Sequence, residues 1–196
     1  MQTFRARSST IWGWGAIALG VLVAVIHVSS VGFSLATGGI GLGAAAALFG
    51  YGAFLRPHVA AHEDRVVVHN VTQTATVPYA RLADLETRWS LEIVGDDGLK
   101  VGAFSAPAPS ATAARHAQRD AARKDDARAE YGRAGDRLGT PSGDAAALVH
   151  AASSAWTAAH PGESGGEGPS IVRRPDWIGI AVVAGAIAAA LWGLLG

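Results

Sequence analysis

The chain alternates between long uncharged apolar segments and polar segments of mixed charge. Residues 11–55 contain no Lys, Arg, Asp or Glu, and residues 177–196 contain none either. A helix needs roughly 20 apolar residues to cross a bilayer core of about 30 Å. Small and polar residues interrupt the first segment at positions 29–32. Because lipid offers no water to backbone groups, three helical spans are predicted, over residues 11–28, 33–55 and 177–195.

In the polar segment after the second span, apolar and polar residues alternate with a period of two residues. Large residues from Leu85 to Ile93 alternate with charged and small polar ones, which is typical of one strand, or of two strands meeting at a bend. This alternation predicts a domain core that contains Trp89, Leu91 and Ile93. Asp96-Asp97-Gly98 is a hairpin-turn signal. With the β-branched run before it, the pattern predicts at least five short antiparallel strands in a small sheet or half-barrel.

The polar region is expected to form one domain over residues 56–160, with a mobile insertion at about 108–142. Residues 111–131 are rich in Ala, Arg and Asp and are either a solvated helix or a disordered linker. Asp144 is the expected N-cap of a helix that ends near Ala159, and its apolar stripe brings Trp156 onto the core. Glycines and prolines in residues 161–176 predict a flexible tether to the third span.

Basic residues near the span ends predict the orientation in the membrane. If the tail of residues 1–10 and the domain are cytoplasmic, all five flanking arginines lie on that side and the C-terminus lies outside. These arginines are Arg5, Arg7, Arg56, Arg173 and Arg174. A cleaved signal peptide is the alternative for the first span, but that span is long and a second one follows at once. The absence of cysteine also favours the cytoplasm.

A glycine-rich run in the second span resembles a phosphate-binding loop. Such a loop needs a preceding strand and a polar helix start, and here the run lies in uncharged apolar sequence. Small residues four positions apart instead predict close helix packing, through Gly39, Gly43, Ala46 and Gly50. The same face allows a homo-oligomer. His27, close to the outer end of the first span, is interpreted as an interfacial side chain.

The chain shows no pattern typical of a catalytic, cofactor or metal site. His58 and His62 are four residues apart before a strand, where about 3.3 Å per residue puts them about 13 Å apart, too far to share a metal ion. Residues 56–104 contain five basic and seven acidic residues. This balance disfavours nucleic acid and anionic headgroups as ligands. We therefore expect a protein that is not an enzyme and needs no cofactor.

Several short motifs together resemble the bacterial PH-like domain of small actinobacterial membrane proteins. They are Arg56-Pro57-His58-Val59, Asp64-Arg65-Val66-Val67-Val68-His69-Asn70, Val77-Pro78-Tyr79, Arg88-Trp89-Ser90-Leu91-Glu92 and Asp97-Gly98. The resemblance implies a small bent sheet or half-open barrel capped by a C-terminal helix. Arg65 departs from the family's usual glycine, and the Ala/Arg/Asp stretch resembles an insertion. The family implies no catalytic residues.

These features predict a membrane-anchored interaction or scaffold module that acts as an accessory to other membrane proteins. Its partners would be the lipid bilayer and an unidentified membrane protein. The alternative is a structural subunit of a larger membrane complex. A small transporter or a lipid-headgroup binder has less support, because no span carries a charge and the domain has no basic cluster.

Overall fold

In the computed structural model, residues 1–109, 115 and 134–196 are described. They divide into two compact units. The helix unit comprises Arg7–Pro57, Val71–Gln73 and Pro175–Gly196, and the sheet unit comprises Met1–Ala6, His58–Asn70 and Thr74–Arg174. Most of the predicted insertion, residues 110–133 apart from 115, lies outside the described residues.

The helix unit contains three helices that are long and apolar enough to cross a membrane. They are α1 (Arg7–Val31), α2 (Thr37–Gly50, continued by a π-helical turn at Tyr51–Leu55) and α4 (Trp177–Leu195). The first is longer than the predicted 11–28. The second begins later than the predicted residue 33, because Gly32 has a left-handed φ of 79° and Phe33–Leu35 forms a separate 3-10 turn.

Glycines bring the backbones of these helices together. A Cβ atom at Gly39, Gly43 or Gly50 of α2 would collide with atoms of α1, and Ala46 faces Gly20 of α1. The predicted packing residues therefore contact another helix of the same chain. A second glycine position, Gly41, approaches α4, where a Cβ would lie 2.6 Å from the backbone nitrogen of Gly193.

The sheet unit contains two antiparallel sheets. The first has the order β1-β2-β3-β4-β8 and the second has the order β5-β6-β7. Their bounds are β1 Gln2–Phe4, β2 His58–Ala61, β3 Arg65–His69, β4 Gln73–Pro78, β5 Leu82–Glu86, β6 Ser90–Gly95, β7 Lys100–Pro107 and β8 Val172–Pro175. Helix α3 (Pro141–Ala159) packs on both sheets.

The sheet unit also includes residues from the predicted N-terminal tail, residues 1–10, which lies outside the predicted domain at 56–160. Gln2, Thr3 and Phe4 pair with Ala61, Ala60 and Val59, so the chain starts as the first strand of the sheet. The three-residue strand is too short to be detected by its period. The α1–α2 hairpin is consequently inserted between two neighbouring strands.

The core of the sheet unit contains Leu91 and Ile93, both fully buried. The prediction for Trp89 is wrong, because its side chain is 76% exposed. The alternation from Leu85 to Ile93 is not one strand: the chain reverses between β5 and β6, and Leu85 pairs with Ile93. Trp89 therefore lies in the turn, where Arg88 stacks on its ring at 5.7 Å.

Helix α3 closes the core with Ala145 and Val149, which are fully buried, and with the partly buried Trp156. It begins before the predicted Asp144. The N-cap is Thr140, whose hydroxyl accepts a hydrogen bond from the Gly143 N–H at 3.2 Å, and Pro141 opens the first turn. Within the predicted mobile insertion, Thr140 and Ser142 are fully buried.

The predicted flexible tether at residues 161–176 is largely attached to the sheet unit. The Gly165 N–H donates to the Ala80 carbonyl at 2.8 Å, and Arg81 donates to the carbonyls of Gly166 and Gly168 at 2.7 and 2.9 Å. Ser170 is fully buried. The segment then ends in β8 beside β4. Composition alone did not reveal these partners, which lie about 85 residues earlier in the chain.

Candidate interaction groove

A groove of about 1350 Å³ lies between strand β5 and helix α3 of the sheet unit. Leu82 to Leu85 form one wall, residues 136–138 form one end, and α3 forms the other wall. The groove-facing residues of α3 include no Asp, Glu, Lys or Arg, and they are Gly143, Ala146, Ala147, His150, Ala151, Ser153, Ser154, Thr157 and Ala158. These side chains leave the groove open along about four turns of helix.

Strand β5 is an edge strand of its sheet, and it lines this groove. The Gly95 N–H donates to the Leu99 carbonyl. The main-chain N–H and C=O groups of odd-numbered residues in β6 therefore point toward β7, and those of even-numbered residues point toward β5. Asp84 and Glu86 then pair with β6, while the main-chain groups of Leu85 point outward. The Leu85 N–H is bonded to the Asp84 carboxylate at 2.8 Å. A β-bulge between Leu82 and Asp84 keeps this edge short, which limits uncontrolled pairing.

The opposite edge of the same sheet, on β7, is bonded to side chains and other main-chain groups. Asn70 donates to the Gly102 carbonyl and accepts from the Phe104 N–H, both at 2.9 Å. The Ala6 N–H donates to the Ser105 carbonyl at 3.2 Å. The β5 edge is therefore the one that this sheet leaves available within the described residues.

Arg137 lies at the end of the groove. Its Nε–H is buried and has no hydrogen-bond partner among the described residues. A buried donor without an acceptor costs about 1–3 kcal/mol. Because this atom is closed to solvent, it is not a contact point for a ligand in the groove. Near it, Asp136 accepts a short hydrogen bond from the buried Thr87 hydroxyl.

The buried residue Tyr79 also lines the groove. Burial, reinforced by the nearby charge of Asp64, raises the pKa of its phenol to about 12. The hydroxyl donates to the His62 carbonyl at 3.2 Å, and the ring lies 6.5 Å from that of Trp156. The phenol is therefore a neutral structural group at physiological pH.

Several ionisable side chains outside the groove form ring stacks or ion pairs. His58 stacks on His69 across β2 and β3, with ring centroids 4.3 Å apart. Lys100 pairs with Glu86, and this hydrogen bond raises the pKa of the lysine. No cluster of three or more metal-ligating side chains occurs in the described part of the chain.

The groove residues are not predicted from the sequence, although helix α3 carries one signal of them. Helix α3 has 19 residues and a single charged side chain, Asp144. A helix with a solvated face normally carries charges on that face. The exposed small residues Ala147, Ala151 and Ser154 are the unusual feature that could have indicated the groove.

No protein-family model matches this chain, and no curated protein or solved structure is similar enough to match it.

Proposed function

We propose that the chain is a multi-pass membrane protein whose sheet unit is a PH-like interaction module. In this proposal the groove between β5 and α3 binds an extended segment of another membrane protein. The module has no enzymatic role. Two antiparallel sheets closed by a C-terminal helix, as the resemblance implies, support the PH-like assignment.

The pairing of β1 with β2 supports the predicted topology. Gln2–Phe4 precede the first apolar helix and His58–Ala61 follow the second, yet they belong to one sheet. If α1 and α2 both cross the bilayer, the two strands lie on the same side, as a helical hairpin requires. The flanking arginines favour the cytoplasm for that side. The third helix then carries Gly196 to the outside.

The observation that carries the binding proposal is the outward edge of β5 beside an open groove lined by small side chains. The main-chain carbonyl of Leu85 can accept from a peptide backbone, whereas the Leu85 N–H already donates to the Asp84 carboxylate. An extended segment added to a sheet edge is held in this way, and side-chain pockets then supply selectivity. Leu82, Leu85 and the exposed Leu138 provide the apolar contacts.

The charges around the groove indicate which segments fit. Asp84 is exposed on the β5 wall, and Asp136 lies at the end of the groove. A segment with small or apolar residues and a basic side chain opposite Asp84 complements this surface. Because the module is attached to the bilayer at both ends of its main segment, membrane-bound partners reach it at a high effective concentration.

Site-specific crosslinking tests the proposal. The chain contains no cysteine, so Ser154→Cys introduces one thiol of nearly the same shape within the groove. Coupled to a short photoreactive group in native membranes, it should yield a crosslink to an extended segment of one membrane protein. Ala155→Cys, exposed but outside the groove, is the matched control.

Ser154→Arg should then abolish co-purification of the crosslinked protein, while Ala155→Arg should leave it intact. Equal crosslinking at both positions would contradict the proposal. A product that contains only lipid, or only a second copy of this chain, would also contradict it.

A further inference from the structure

All three connections to the apolar helices leave the sheet unit at the same end of its larger sheet. Phe4 pairs with Val59, next to the start of β2, and His58 pairs with His69. His69 in turn pairs with Thr74. The Asp176 N–H bonds to the Thr72 carbonyl, so β8 also ends there. We call this end, defined by Phe4, His58, His69, Thr74 and Pro175, the exit end.

Strand β7 crosses the exit end. Arg173 donates to the Lys100 carbonyl at 2.6 Å, next to the end of β8. Asn70, one residue after β3, bonds to Gly102 and Phe104, and Ala6, two residues after β1, bonds to Ser105. These hydrogen bonds place β7 against the exit end.

Basic residues from separate parts of the sequence lie along this end of the larger sheet, from one edge strand to the other. Arg5 follows β1, Arg173 and Arg174 belong to β8, and Lys100 begins β7; all four are exposed. Of these four residues Lys100 pairs with Glu86, and Asp176, which follows β8, pairs with Arg56. The acidic excess of residues 56–104 does not describe this surface, because three of its four cations lie outside that range.

We infer that the exit end binds the phosphate groups of anionic phospholipids in the leaflet that the helices enter. The inference rests on the proposed membrane insertion, which holds this end at the bilayer surface. Lys and Arg within a Debye length of such a surface are attracted to it, and a guanidinium can bond two phosphate oxygens at once. The connections to the apolar helices leave at this end, which favours lipid over another protein as the occupant.

Fluorescence of the full chain in lipid nanodiscs tests the inference. Val172 is 42% exposed and lies two residues before Arg174 on the same side of β8, so Val172→Cys can carry an environment-sensitive dye. The emission should shift to shorter wavelength when phosphatidylglycerol is added to phosphatidylcholine. High salt should reverse this shift, because it screens exposed charges.

Replacing Arg173 and Arg174 by Gln should remove most of this lipid-dependent shift, and replacing both by Lys should retain part of it. Arg88→Gln, an exposed arginine in the β5–β6 turn, is the control and should not change the shift. An equal shift in the double Gln variant, or no shift in protein inserted into the discs, would overturn the inference. Alkaline carbonate separates failure of the proposed membrane insertion from failure of phospholipid binding, because it releases a protein that is not inserted in the membrane.

Discussion

The Arg56 guanidinium binds both carboxylate oxygens of Asp176, although 120 residues separate them. Arg56 directly follows α2 and Asp176 directly precedes α4, so the pair connects two candidate spans at their ends. The hydrogen bond to Asp176 raises the pKa of Arg56 above its ordinary value. Both side chains are largely buried, which reduces the solvent screening that weakens surface ion pairs.

The two roles of Asp176 can be separated by substitution. Its carboxylate also accepts from the Gly179 N–H at 3.2 Å as the N-cap of α4. Asp176→Asn should lose the ion pair and keep the cap, whereas Asp176→Ala should lose both and unfold at a lower temperature. The lost cap corresponds to about 1 kcal/mol. Thermal unfolding in detergent measures this order, and equal values for Asn and Ala would contradict the capping role.

The proposed topology can be tested with single cysteines in the cysteine-free chain. Ser164 is exposed in the sheet unit, and Leu195 is 85% exposed at the end of α4. In intact cells, a membrane-impermeant maleimide should label Leu195→Cys and should label Ser164→Cys only after permeabilisation. The opposite pattern would reverse the orientation, and labelling of both would mean that α4 does not cross the bilayer.

The attachment of the linker to the sheet unit should depend on the charge of Asp97. Its carboxylate accepts from the Ser170 hydroxyl and from the Ser170 N–H at 2.9 Å, which lowers its pKa from 3.8 to about 2. A carboxylate with a lowered folded-state pKa stabilises the fold above its unfolded-state pKa. This contribution should disappear as the pH falls from about 4 to about 2.

Hydrogen exchange at the Ser170 amide measures this change. Protection should fall through that pH range in the natural chain, and Asp97→Asn should lower it already at neutral pH. Ser164→Ala, which changes an exposed hydroxyl in the same linker, is the control. Unchanged protection in Asp97→Asn would show that Arg81 alone holds the linker.

Leu91 and Trp89 should differ sharply in their effect on stability. Leu91→Ala removes a fully buried side chain and should lower the free energy of unfolding by about 2–5 kcal/mol. Trp89→Ala changes an exposed turn residue and should cost no more than about 0.5 kcal/mol. Denaturant unfolding followed by circular dichroism measures both. A large loss for Trp89→Ala would mean that this ring packs in the folded state.

The close approach of α1 and α2 should tolerate no side chain at Gly20. A Cβ there would collide with the Gly43 carbonyl, whereas a Cβ at Gly15 meets nothing within 4 Å. Gly20→Ala should therefore lower the thermal stability in detergent. Gly15→Ala should leave it unchanged or raise it slightly, because alanine has the higher helix propensity. Equal effects would contradict the described packing.

The sequence by itself determined the elements whose cause is local. Uncharged segments of sufficient length produce the three apolar helices, since the requirement depends on composition and length alone. Gly98 closes the β6–β7 turn with a φ of 79°, which glycine adopts without steric cost. The burial of Leu91 and Ile93 follows from alternation within a single strand.

Only the tertiary structure decided the features that depend on distant partners. Gln2–Phe4 are a strand because β2 lies beside them, and the glycine-rich linker is ordered because Arg81 and Asp97 bind it. Trp89 is exposed because it lies in the turn between β5 and β6, although the alternation of apolar and polar residues continues through that turn. Backbone hydrogen-bond partners and chain reversals are set by contacts far apart in sequence, and no local pattern records them.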